Sequence, residues 1–133
     1  MTRIVVPVRY PLSEHSTETL RTAASLAAER DAELTVLHVD LYQEDGNVTR
    51  TELKRAAQRK LGRIENARYV VRRGFLVEQT ILDEVAAEDA DVVVIGRKQV
   101  GRWRRALRSM LGDPDVEAFL ERELDCELVV VGT

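Results

Sequence analysis

The chain has 133 residues, 44% of them hydrophobic, and 20 Lys and Arg against 23 Asp and Glu leave a net charge of −3. This is enough apolar material for one core and one domain, 1–133; it excludes wholesale disorder, and the charge balance gives no general basic footprint for nucleic acid. One cysteine, Cys126, excludes an intrachain disulfide and the multi-cysteine zinc patterns.

Met1-Thr2-Arg3 leads straight into the apolar run Ile4-Val5-Val6-Pro7-Val8, a first strand instead of a signal peptide, and no apolar run is long enough to span a bilayer. A cytoplasmic protein without a membrane partner is expected. Ser13-Glu14-His15-Ser16 supplies capping residues for a first helix whose apolar stripe is Leu20, Ala23, Ala24 and Ala27. Leu34 to Val39 reads as a second strand. Gly46 and Asn47 mark a loop, Thr51 is the expected cap, and Leu53, Ala56, Ala57, Leu61 and Ile64 form a second helical stripe. Tyr69-Val70-Val71 is a third strand, followed from Gly74 by a third helix on Val77, Ile81, Leu82 and Val85. Val92 to Ile95 is a fourth strand. A fourth helix on Val116, Phe119, Leu120 and Leu124 opens at Asp113-Pro114, and Leu128 to Val131 closes the series as a fifth strand.

Continuous apolar strands are those buried on both faces of a parallel sheet, and strict alternation of strand and helix implies right-handed crossovers. The pattern predicts an α/β fold, a doubly wound five-stranded parallel sheet of order 3-2-1-4-5. Its winding reverses between the first and fourth strands, so a ligand belongs beyond their carboxyl ends, in the loops after Val8 and Gly96.

The second of these loops, from Gly96 to about Gly112, is long for a compact domain: either it is functional or its later part is helical. Arg97 to Arg108 holds six cations, Arg97, Lys98, Arg102, Arg104, Arg105 and Arg108, and no acid, leaving −9 on the rest of the chain. Beside Gly96 and Gly101 such a cluster suits a polyanion, because glycine lets backbone approach phosphate and guanidinium binds it in bidentate fashion. The plainer reading is a solvated basic turn above a buried stripe of Trp103, Leu107 and Met110 or Leu111. Both stay open.

Ser13, His15 and Ser16 invite a nucleophile-and-base reading, but residues two apart at a helix start diverge and no Asp is placed to orient the imidazole. Capping is the simpler role, and no catalytic residue is assigned. His38 reads as a half-buried strand residue and Cys126 as a small core residue; no metal-site spacing is present.

Four stretches resemble one family. Ile4-Val5-Val6-Pro7-Val8 with Ser13-Glu14-His15-Ser16, then Ala32 to Val39, then Val70 to Gly74, then Ala90 to Arg97, are together similar to universal stress proteins over nearly the whole chain. The resemblance implies the same five-stranded sheet, of the adenine nucleotide alpha hydrolase-like kind, and homodimers paired through the last strands, here Leu128, Val129, Val130 and Val131. Family members that bind ATP carry Asp directly after the Val-Pro-Val strand. They also carry a loop of Gly, two residues, Gly, nine residues, Gly, then Ser or Thr.

This chain has Arg9 at the Asp position and Gln99 at the second Gly, with Ser109-Met110 where Gly then Ser or Thr should stand. The expected function is therefore a homodimeric stress-response or regulatory module with a degenerate ATP site. The alternative is a protein that binds a nucleotide, ATP or AMP, or another phosphate ligand through the basic loop 97–108. Candidate ligand residues are Val8, Arg9, Val39, Gly96, Arg97, Lys98, Gly101 and Ser109. An enzyme would want a positioned base and a metal carboxylate in the two loops, and neither is there.

Overall fold

In the computed structural model, which describes residues 1–44, 46–111 and 115–132, β1 (Arg3–Pro7), β2 (Glu33–Leu41), β3 (Ala67–Gly74), β4 (Val92–Gly96) and β5 (Glu127–Val131) form one sheet. All pairings are parallel and the order is β3-β2-β1-β4-β5, as the alternation predicted. Side-chain alternation splits the central strands between two cores. Ile4, Val6, Val92 and Val94 face one cluster with Leu20, Ala23 and Leu53, while Val5, Val93 and Ile95 face the other with Ile81, Trp103 and Leu120. The helices α1 (Glu14–Arg30) and α2 (Arg50–Leu61) cover the first face; α3 (Val77–Glu88), α4 (Arg97–Leu111) and α5 (Val116–Leu124) cover the second.

Local chemistry sets the helix starts. Ser13 Oγ accepts from Ser16 N at 3.1 Å to open α1. The cap of α2 is Thr49, two residues before the expected Thr51: its hydroxyl accepts from Glu52 N and the Glu52 carboxylate accepts from Thr49 N, both at 3.1 Å. A capping box needs an acid three residues on, which Thr49 has and Thr51, followed by Lys54, lacks. α5 is capped by Asp115, which accepts from Ala118 N at 3.0 Å; the proposed Asp113-Pro114 opening lies outside the described residues.

The main departure is at 97–108. This segment is not a loop but the greater part of a 15-residue helix that starts on the residue after β4. Of the expected stripe, Trp103 and Leu107 are each 1% exposed, worth about 1.5–3 kcal/mol apiece in burial, and the side chains of Met110 and Leu111 lie outside the described residues. Gly101 costs such a helix about 1 kcal/mol, which the buried stripe offsets.

Candidate functional site

The reversal between β1 and β4 places the candidate crevice beyond Pro7 and Gly96. At the exit of β1, Val8 is buried and hydrogen-bonded on both sides: its N donates to Leu37 O at 2.8 Å and its carbonyl faces His38 Nδ1 at 3.1 Å. His38 is buried, not half-buried, because Nε2 turns to Asp40 Oδ1 at 3.3 Å and the ring lies edge-on to Tyr10, centroids 6.1 Å apart. Asp40 Oδ2 in turn accepts from Val48 N at 2.9 Å. The residue after β1 is thus tied to β2 through the His38 side chain, with Tyr10 partly buried beside it.

Arg9 is exposed, and its backbone N donates to Ser16 Oγ at 3.1 Å. Ser16 therefore anchors the loop after β1 instead of capping, and Ser13 Oγ is taken up by the cap. Neither hydroxyl is paired with His15, which lies exposed. Gly96 packs closely on α1: a Cβ there would sit 3.4 Å from Thr19 Oγ1.

Of the candidate ligand residues, Val8, Arg9, Gly96, Arg97 and Lys98 lie at the ends of β1 and β4, with Val39 near the end of β2. Ser109 does not join them. A continuous helix carries it twelve residues past Arg97, about 18 Å along the axis, with Gly101 between. There Ser109 lines a groove of about 230 Å³ between α3 and α4 with Leu76, Leu82, Trp103 and Leu107. Since Leu76 precedes α3 at the carboxyl edge of the sheet, the later part of α4 lies beside the start of α3. Trp103 Nε1 and Gln99 Nε2, one turn apart on the inner side of α4, are buried without acceptors.

The cations of α4 face outward. Arg97, Lys98, Arg104, Arg105 and Arg108 are exposed and Arg102 is half-buried. Among the described residues none of the six forms an ion pair, whereas Arg3, Arg21, Arg30, Arg68 and Arg72 each do. Arg97 Nε donates to Gly132 O, which leaves its charge uncompensated.

Two features escaped the sequence reading. Tyr42 and Phe75, 51% and 70% exposed, meet at 4.8 Å between ring centroids, with the Arg73 guanidinium 5.2 Å over Tyr42. Glu84 and Glu88, both buried, share the α3 face of Ile81 and Val85 and reach Arg72 at 2.7 Å and Arg68 at 2.8 Å; Thr35 Oγ1 donates to Glu88 at 2.6 Å. Burial, then the neighbouring Glu84 carboxyl, hold the Glu88 carboxyl above the usual range. Burial pushes Glu84 up as well, but its hydrogen bond with Glu88 and the Arg72 pair outweigh that and leave it lowered. Acids at apolar-period positions were the available signal. Cys126 is buried as expected, its thiol pushed up to about 11 by burial and by Asp91 and Glu127.

The doubly wound parallel sheet of order β3-β2-β1-β4-β5, with its winding reversed between β1 and β4, is of the adenine nucleotide alpha hydrolase-like kind of fold. The chain belongs to the universal stress protein family, whose model matches residues 1–132. A universal stress protein family member from Burkholderia pseudomallei is 18% identical, with 99% of this chain and 96% of that one covered and a TM-score of 0.66. A universal stress protein from Archaeoglobus fulgidus in complex with dAMP is 17% identical, with 99% and 98% covered and a TM-score of 0.61. A universal stress protein in complex with cAMP is 17% identical, with 97% of each chain covered and a TM-score of 0.60. At these identities the likeness is one of fold. No curated protein sequence is a significant match. Among the described residues no helix is long and apolar enough to cross a membrane, and no cluster of three or more His, Cys, Asp or Glu has metal-ligand geometry.

Proposed function

We propose that this chain is a stress-response regulatory module that pairs with itself through β5 and does not hold ATP in its family's usual way. The observation that carries this reading is that β4 runs into α4 without a loop: Gly96 ends the strand and Arg97 begins the helix. A helix directs its amides to its own carbonyls, so only those of its first turn remain for a phosphate, and there is no glycine loop to wrap a triphosphate chain. Arg9 adds a cation where an acidic acceptor for the nucleoside would stand. Calorimetry with ATP on nucleotide-stripped protein tests the reading. No binding, or binding weaker than about 10 μM (about −6.8 kcal/mol), is expected, and a tighter constant overturns it.

A second reading, favoured by the unpaired cations of α4, is a phosphate-ligand protein whose anion site is that helix and not a loop. The relatives solved with cAMP and dAMP make AMP-like nucleotides the first ligands to try. Thermal shift against AMP, cyclic nucleotides, inorganic phosphate and polyphosphate is the screen, since a ligand at a hundred times its Kd stabilises by about 2.7 kcal/mol. Charge reversal at Arg97 and Arg105 that left every such shift unchanged would remove α4 as the site.

A further inference from the structure

We propose that the outer face of α4 and the Tyr42–Phe75 pair together bind single-stranded nucleic acid. The inference rests on reading α4 as an anion site and names the anion. At about 100° per residue, the six cations of α4 fall within an arc of about 160°, opposite Trp103 and Leu107. Like charges at i,i+4, such as Lys98 with Arg102 and Arg104 with Arg108, destabilise an isolated helix, and here no acid on the helix relieves them. A bound polyanion does.

The spread of charge selects the kind of anion. Arg97 to Arg108 extends about 16 Å, a row that matches successive phosphates along a chain and not one phosphate group. Five of the six are arginines, whose planar fork takes phosphate oxygens in pairs. A lipid surface fits poorly, because the apolar side of α4, Trp103 and Leu107, is packed inside the protein and has nothing to insert.

The aromatic pair distinguishes a nucleic acid from a bare polyphosphate. Leu76 lines the α3/α4 groove with Ser109, the neighbour of Arg108, and also a second groove with Arg73 and Phe75, so the two grooves meet at Leu76 between the later part of α4 and the exposed rings. Exposed aromatic rings flanked by arginine beside a basic track are the elements on which unpaired bases stack while the backbone follows the charge. The net charge of −3 conceals this because the cations are gathered on one helix. The earlier expectation of no nucleic-acid partner rested on that mean.

The test is fluorescence anisotropy of a labelled 15-nucleotide oligouridylate with the full chain at low salt, with Arg104→Glu/Arg105→Glu, Phe75→Ala and Phe75→Tyr, and with inorganic polyphosphate as competitor. The wild type is expected to bind with an affinity that falls as salt rises. The double charge reversal should weaken binding at least tenfold, Phe75→Ala about tenfold, and Phe75→Tyr, which keeps a stacking ring, should restore it. If Phe75→Ala has no effect and polyphosphate competes as well as unlabelled oligonucleotide, α4 is an anion site but the nucleic-acid inference is overturned. If neither polymer binds, both readings fall.

Discussion

Arg97 Nε donates to the carbonyl oxygen of Gly132 at 3.1 Å, so the first residue of α4 is tied to the residue that follows β5. At the other end of the same strand, Glu127 is held by Arg30 of α1 at 2.8 Å. The edge strand is fastened at both ends, to helices on opposite faces of the sheet. Nothing in the described sheet pairs with its outer side.

A fastened, unpaired edge leads to the first prediction. The other edge, β3, carries Arg68 and Arg72, each more than half exposed, and edge charge of that kind discourages strand addition. β5 has Leu128, Val129 and Val131 half-buried and Val130 37% exposed, with Glu127 its one charge. We expect a two-fold dimer at tens of micromolar in sedimentation, with Val130→Lys shifting it to monomer. A monomeric wild type, or a dimer indifferent to that lysine, would place self-association elsewhere or nowhere.

The glutamate pair of α3 gives opposite pH signatures. Glu88 is raised, so the fold favours its protonated form; that stability is full below the usual value of 4.5 and is lost as pH rises through the folded-state value. Glu84 is lowered, so its contribution is present above 4.5 and is lost as pH falls through its folded-state value. Urea unfolding across about pH 3.5–7.5 should therefore show Glu88→Gln gaining on the wild type as pH rises. Glu84→Gln, which weakens the Arg72 pair, should lose about 1–3 kcal/mol at neutral pH and less in acid. Two variants running parallel to the wild type would contradict the assignment.

Gly74 ends β3 where a Cβ would collide with Thr80 Oγ1, a hydroxyl already donating to Leu76 O at 2.7 Å. Gly74→Ala should cost about 1–3 kcal/mol of unfolding free energy. Adding Thr80→Ala should recover part of that loss, since it removes the colliding atom. A double variant no better than the single would point to backbone strain instead.

Cys126 should be chemically silent while the protein is folded. With 2% exposure and a thiol pushed up to about 11, it presents almost no thiolate near pH 8. Iodoacetamide labelling followed by mass should track unfolding in urea. Rapid modification of the native protein would mean that β5 opens on its own.

The residues that reveal the fold in the sequence are those whose physics is local. Val92 to Ile95 are apolar in succession because both faces are covered, and Leu20, Ala23 and Ala27 repeat because one face is. α4 is harder to read: six cations and Gly101 hide a stripe that shows itself in the sequence only at Trp103, Leu107 and Met110 or Leu111. Hence Gly96, Arg97 and Lys98 stay at the carboxyl end of β4, while helix rise carries Ser109 along α4. Glu84 and Glu88 could not be assigned partners, because Arg72 and Thr35 come to them across strand–helix packing from twelve and 53 residues away. Tyr42 and Phe75 likewise meet only through the pairing of β2 with β3.

The gathering of positive charge on α4 also makes the molecule a strong electric dipole. The segment 97–108 holds +6 and the remainder −9, on a chain with an isoelectric point near 5.5. At neutral pH such a molecule should migrate to the anode and yet adhere to a sulfonate cation exchanger by one end, because a charged surface senses the nearest face within a Debye length and not the mean. Column behaviour at odds with the isoelectric point then follows from the gathered charge of 97–108 and can be followed without knowing any ligand.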